Sequence, residues 1–176
     1  MSDIEHLVRK YTTFNDSFKK TSYDSENDEY LCNDESQKVI NFDAILEDKY
    51  PNSDDRPKSF DAIYIDGINI YCIEFKNQIP RDINNADIQG KLEQGKKELD
   101  ILLSAENIQK NDYIFIYCVV YKKCTEPRDS YKCGIGKGAI KFGLEKYNNL
   151  VDHIFTNNVE FFAEQFKKKT ERELAC

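Results

Sequence analysis

The sequence predicts a single α/β domain in which a mixed sheet is flanked by helices, with further helices at the C-terminal end. Three observations carry this. Two β-rich segments meet at Asp66-Gly67, an amphipathic helical segment follows over 86–104, and a nearly uninterrupted apolar segment occupies 112–121. A hairpin is antiparallel, whereas a strand reached through a helical crossover can pair in parallel, so the sheet is mixed. At 176 residues the chain suits one domain.

Taken in order, residues 3–20 are expected to be helical, because Ile4, Leu7, Val8, Tyr11 and Phe14 recur at helical spacing. The stretch 21–37 (TSYDSENDEYLCNDESQ) is acidic and poor in aliphatics, which predicts a loop. Over 38–49, Val39, Phe42, Ile45 and Leu46 fit a helix, and a short strand fits as well. YPNSDDRPK at 50–58, with two prolines, reads as a connector. SFDAIYID and INIYCIEFK, over 59–76, form the hairpin. With Gly67 and Ile68 in the turn, Asp66 pairs with Asn69 and Asp61 faces Glu74; with Asp66-Gly67 in the turn, Asp61 and Glu74 become diagonal neighbours. The 86–104 helix aligns Ile88, Leu92, Leu99 and Leu102. DYIFIYCVVY at 112–121 suits a strand covered on both faces. A glycine-containing loop over 124–139, helices over 140–152 and 158–169, and a frayed tail complete the expectation. The core thus spans about 38–121, preceded by a helix and acidic loop over 1–37 and followed by the remaining elements over 122–176.

Composition narrows the function classes. No run of 18 apolar residues exists, so no membrane span is expected. The start MSDIEHLVRK lacks a secretory apolar stretch, and the default expectation is cytoplasmic. The chain has six cysteines. Cys72 and Cys118 lie in apolar, strand-like runs, where thiols pack as small hydrophobes, and the sequence reading expects no disulfides. Cys118, Cys124 and Cys133 lack paired zinc-ligand spacing. The net charge of −7 disfavours a polyanionic partner. Yet the acid is concentrated early: residues 1–60 hold 14 acidic and 8 basic side chains, while residues 110–147 hold 4 acidic and 8 basic.

Side chains alternate faces along a strand. Either hairpin register therefore puts Asp61, Glu74 and Lys76 on one face, with Tyr64, Tyr71, Ile73 and Phe75 on the other. Two neighbouring carboxylates repel unless a cation joins them, and hard oxygen ligands suit Mg²⁺ or Mn²⁺. A lysine beside them can stabilise charge developing on a phosphate. A partly exposed ion pair, Glu74 with Lys76 or Lys58, is the plainer reading.

Asp61 followed thirteen positions later by Glu74-Phe75-Lys76, on a hairpin that precedes a helix, resembles the PD-(D/E)xK nuclease superfamily, which includes restriction endonucleases and Holliday-junction resolvases. The resemblance covers about half the chain. It implies a restriction endonuclease-like αβββαβ core and a Mg²⁺- or Mn²⁺-dependent nuclease acting on nucleic acid, DNA before RNA. Asp61 and Glu74 would bind the metal, joined by the carbonyl of Phe75, and Lys76 would orient water or balance charge. Phe60 stands where the family often has proline. An acid on a first helix is also implied; Glu47 is favoured here, with Asp43 and Glu5 competing. Gln78, Lys91 and Gln94 are candidates for flanking the site and touching substrate. Gly134-Ile135-Gly136-Lys137-Gly138 lacks a nucleotide-loop pattern, but Lys137 could help hold a substrate backbone. His6 and His153 read as structural. A catalytically inactive binding module on the same fold, or an immunity or adaptor protein covering a basic partner, is the alternative. A homodimer and a protein partner also stay open.

Overall fold

A computed structural model describes residues 3–126 and 140–176. Helix α1 (Asp3–Lys10) stops well short of residue 20. The Thr12 hydroxyl donates to the carbonyls of Val8 and Arg9, and so closes the last turn. The expected long helix is replaced by strand β1 (Asn15–Ser17) and a single turn, α2 (Phe18–Thr21). Helical spacing misled because its apolar residues serve two cores: Tyr11 and Phe14 pack on one side of the sheet and Phe18 on the other. The acidic stretch is not only loop. It folds as a small antiparallel ribbon, β2 (Tyr23–Asp24) with β3 (Glu29–Tyr30).

Both readings of 38–49 apply in turn. β4 (Lys38–Asn41) runs into α3 (Phe42–Lys49), with the Asn41 side chain accepting from the Ala44 N–H as N-cap. The hairpin is β5 (Ala62–Asp66) with β6 (Asn69–Lys76), in the first of the two expected registers, Asp66 opposite Asn69 and Ile63 opposite Cys72. Gly67 sits in this turn at φ +57°, a conformation most residues avoid. Helix α4 (Asn85–Ala105) then returns the chain to β7 (Ile114–Tyr121), which pairs in parallel with β6.

Residues 140–152 do not form the expected helix. Phe142 and Gly143 both have positive φ, and only a short 3₁₀ turn at Leu144–Tyr147 follows. The next segment adds an unexpected strand, β8 (His153–Asn158), parallel to β7. Helix α5 (Val159–Thr170) matches the expected closing helix.

The result is α/β with a mixed six-stranded sheet, in order β1-β4-β5-β6-β7-β8, flanked by helices. One face packs Ile63, Ile70, Cys72, Tyr117 and Val119 against α1, α3 and α4. The other packs Tyr64, Tyr71, Ile73 and Phe75 against Phe18 of α2 and Phe162 and Phe166 of α5. The free thiols Cys72 and Cys118 are buried, as expected. The expectation of no disulfides is corrected: Cys32 is bonded to Cys176, and Cys124 is also disulfide-bonded. The tail is likewise not frayed. Ala175 donates its N–H to Asp34 at 3.0 Å and accepts the Asn33 N–H at 3.1 Å. Residues 144 positions apart meet through tertiary packing, which sequence spacing does not encode. Among the described residues, no helix is long and apolar enough to cross a membrane. Cys133, Lys137 and the glycine cluster lie outside the described residues.

Candidate active site

The hairpin brings Asp61 and Glu74 to one face of the sheet, beneath α4. Asp61 lies just before β5, and its Oδ2 accepts the Phe75 N–H at 2.6 Å. Glu74, on the central strand β6, is fully buried. Lys91 reaches down from α4. Its ammonium lies 2.7 Å from Glu74 Oε1 and 3.7 Å from Asp61 Oδ1, so one positive charge joins both acids. Lys76 Nζ lies 3.1 Å from the same Glu74 oxygen and 3.1 Å from Asp87 Oδ2. Asp87, one turn before Lys91 on α4, also accepts from Lys58 at 2.7 Å. Asp43, in the first turn of α3, accepts from Ser59 and is near enough to raise the pKa values of Asp61 and Lys91.

Close packing of α4 makes this possible. Phe60 stacks on Phe42 with ring centroids 4.7 Å apart. A Cβ on Gly95 would meet the Phe60 ring at 2.8 Å, so the helix needs glycine there. Phe60 is the wedge between α3 and α4.

The electrostatics follow from burial. Asp61 is pushed well above the ordinary carboxylate range, first by burial and then by the negative charge of Glu74. Glu74 is raised by burial, against the pull of Lys91 and Lys76. Burial works against charge on Lys91, but Glu74 and Asp61 outweigh it and raise its pKa. Burial and the neighbouring Lys91 charge also work against charge on Lys76, but Glu74 and Asp87 together outweigh them and raise its pKa. Asp87, although partly buried, is held down at about 2 by hydrogen bonds from Lys58 and Lys76.

One atom stands outside this pairing. Glu74 Oε2 is buried and has no hydrogen-bond partner. Buried polar atoms are nearly always satisfied, so an orphan beside a second carboxylate fits a proton or a cation. Asp61 and Glu74 are hard oxygen donors of the kind Mg²⁺ and Mn²⁺ prefer. No group of three or more His, Cys, Asp or Glu side chains placed to hold a metal exists among the described residues. The chain would therefore contribute two carboxylates, and Mg²⁺, which keeps several waters, suits so small a ligand set.

Asp61, Phe75, Lys76 and Gln78 border a polar cleft of about 320 Å³. Its opposite wall is Thr21 to Glu26, from the end of α2 into the β2–β3 ribbon.

The remaining sequence candidates divide. Lys91 is at the centre of the network rather than on its flank. Gln94 is exposed, and its Oε1 accepts the Lys58 N–H at 2.7 Å, which fastens the connector to α4. Gln78 is exposed on the cleft rim. Glu47, favoured in sequence, instead faces away, exposed and paired with Arg56 at 2.8 Å. Of the three competing acids it is Asp43 that faces Asp61, while Glu5 is exposed on α1. The physical reason is that α3 begins beside Asp61: Phe42 donates its N–H to the Asp61 carbonyl, and Glu47 lies more than a turn further along. Asp87 is not among the sequence candidates, and Lys58, offered in sequence as an ion-pair partner for Glu74, pairs with Asp87 instead. The Asp87–Lys91 spacing of four was the available signal, since residues four apart share a helix face. His6 lies on the surface 3.5 Å from Glu106, and His153 is exposed at the start of β8.

Neither a protein-family model, nor a curated protein, nor a solved structure matches this chain. The fold and site therefore define the class only as far as an α/β domain with a mixed six-stranded sheet and a buried carboxylate–lysine cluster.

Proposed function

We propose that the chain is a Mg²⁺- or Mn²⁺-dependent nuclease of PD-(D/E)xK type, hydrolysing phosphodiester bonds of nucleic acid, DNA before RNA. The observation that carries this reading is the orphaned, buried Glu74 Oε2 beside Asp61, with Lys76 at the edge of the cleft. The antiparallel β4–β5–β6 run, continued in parallel by β7 after α4, supports it, with α3 inserted between the first two strands.

Asp61 and Glu74 would hold the ion and Phe75 could add its carbonyl. A divalent ion bound there supplies Lewis-acid polarisation of a phosphoryl oxygen and a more acidic water. Lys76 meets the negative charge that grows on the phosphate. Asp87 keeps Lys76 protonated and aimed at the cleft. Lys91, which sits between the acids here, would have to yield that place to the ion, and its ammonium could then meet a phosphate oxygen.

Purified protein incubated with Mn²⁺ and single- or double-stranded DNA or RNA is expected to cut at least one of them. Asp61→Ala and Glu74→Ala should abolish cutting, and Lys76→Ala should slow it by about 10²–10³-fold, as for loss of a transition-state charge partner. Wild type that neither cuts nor gains thermal stability from Mn²⁺ refutes the reading.

One observation favours a second reading. Lys91 already joins both carboxylates, and Lys58 and Lys76 accompany Asp87, so the cluster largely neutralises itself. A non-catalytic module that uses the cluster only as a buried brace is the result. It predicts no response to Mn²⁺.

A further inference from the structure

We propose that the Cys32–Cys176 disulfide is a redox latch: it holds the acidic β2–β3 ribbon closed over the Asp61–Lys76 cleft, and a thiol reductant opens the cleft to polyanions. The latch concerns regulation of the cleft, and its significance for catalysis rests on the nuclease reading above.

The ribbon carries the wrong charge for a phosphate-binding wall. Asp24 and Glu26 line the cleft opposite Lys76. The Asn27 side chain and the N–H groups of Glu26 and Asn27 hold the Asp24 carboxyl below its ordinary value, and the charge of Lys76 across the cleft adds a smaller pull in the same direction. A lid carboxylate thus occupies the field of the lysine that a phosphate would seek, and like charges repel a polyanion from the entrance.

The two strands of the ribbon are tied to each other. Tyr23 and Tyr30 pair across its strands with ring centroids 4.9 Å apart. Its base is closed by the Ser22 hydroxyl, which accepts the Cys32 N–H at 3.0 Å and donates to the Cys32 carbonyl at 3.1 Å. Its outer part touches the domain body through Glu29, which accepts from Asn77 at 2.7 Å and from Lys122 at 2.9 Å. Both Glu29 and Lys122 are about half exposed, and such pairs stabilise little. The firm attachment is at the base. There Cys32 is bonded to Cys176, and the buried Asp34 carboxylate accepts N–H groups from Ser36, Gln37 and Ala175.

The chemistry is ordinary exchange. A low-molecular-weight thiol, as thiolate, attacks Sγ of the half-buried Cys176 and releases Cys32 as thiolate, leaving a mixed disulfide. A second thiol attacks the mixed disulfide and releases Cys176. The reductant leaves as its own disulfide, and both cysteines take up protons. The ribbon then depends on its weak outer contacts and on local packing, and opening of such segments is governed by the number of buried contacts they keep.

The test uses the full chain and two readouts that do not require catalysis: labelling of Lys76 by an amine-acylating reagent, and hydrogen exchange over residues 22–31, both by mass spectrometry. Reduced wild type is expected to show about tenfold faster exchange and labelling than oxidised wild type, as local opening becomes easier. Because a reductant also reaches the disulfide at Cys124, Cys176→Ala isolates the latch. It should behave as reduced protein whether or not reductant is present. Equal labelling and exchange in oxidised wild type and Cys176→Ala overturn the latch. Cleavage of single- and double-stranded DNA and RNA with Mn²⁺ is measured alongside. Opening without cleavage in any state keeps the latch and removes the nuclease reading. Cleavage at equal rates with unchanged labelling keeps the nuclease reading and removes the latch.

Discussion

Lys91→Met tests whether the lysine ammonium occupies a cation site. The substitution keeps most of the side chain's length and removes the charge that joins Asp61 and Glu74. Losing one partner of a buried ion pair costs roughly 3–5 kcal/mol when the other charge is stranded. Here the loss is smaller, about 2–3 kcal/mol on that scale, because Lys76 still faces Glu74 at 3.1 Å and either acid can take up a proton. In a chain of this size each kcal/mol moves the Tm by about 2–4 °C, so a fall of about 4–12 °C is expected. Mn²⁺ should then reverse it. At a concentration one hundred times its Kd, a ligand specific for the folded state adds about 2.7 kcal/mol. The gain should exceed that of wild type, in which the ion must displace Lys91. Differential scanning fluorimetry, with and without Mn²⁺, reads both effects. An unchanged Tm on mutation would show that Lys91 does not bridge the acids. A Mn²⁺ gain no larger in Lys91→Met than in the double variant Asp61→Asn/Lys91→Met would show that the pair is not a cation site.

Further expectations come from the same geometry. The raised carboxyl of Asp61 means that the folded state binds its proton more tightly than the unfolded chain. Its contribution is therefore present at low pH and lost as pH rises from the ordinary carboxylate range through its raised value; Asp61→Asn should flatten that part of a Tm-against-pH curve, and an unchanged slope refutes the assignment. Gly95→Ala should destabilise by about 1–3 kcal/mol, the usual cost of overpacking, because its methyl meets the Phe60 ring. Chemical denaturation reads this, and a neutral result would mean that α4 can move away. Asp87→Asn should leave the fold intact and reduce any Mn²⁺-dependent cleavage about tenfold or more by releasing Lys76 from its aim. Unchanged cleavage would remove Asp87 from the positioning role.

Much of the frame was legible because it is written in local periodicity. The hairpin, its turn at Gly67, the α4 crossover and the buried β7 all rest on patterns a few residues long, and the structure places each where the patterns indicate. The alternation of β6 also determined that Glu74 and Lys76 share a face with Asp61, and that Tyr71, Ile73 and Phe75 turn to the other core. Where local pattern competed with distant partners, the pattern failed. Residues 11–20 looked helical because apolar spacing does not say which of two cores each residue enters. HIFTNN became a strand because β7 offered it a free edge. The acid beside Asp61 is Asp43 rather than Glu47 because α3 starts at the Asp61 carbonyl, a contact between segments 19 positions apart. Lys91 took the central place because α4 lies close on Phe60 at Gly95, and the cleft has an acidic wall because the β2–β3 ribbon, distant in sequence from β6, folds against it. Sequence specifies which side chains a single element presents to one face; the approach of separate elements, and hence which charges neutralise one another, is decided by packing among all of them.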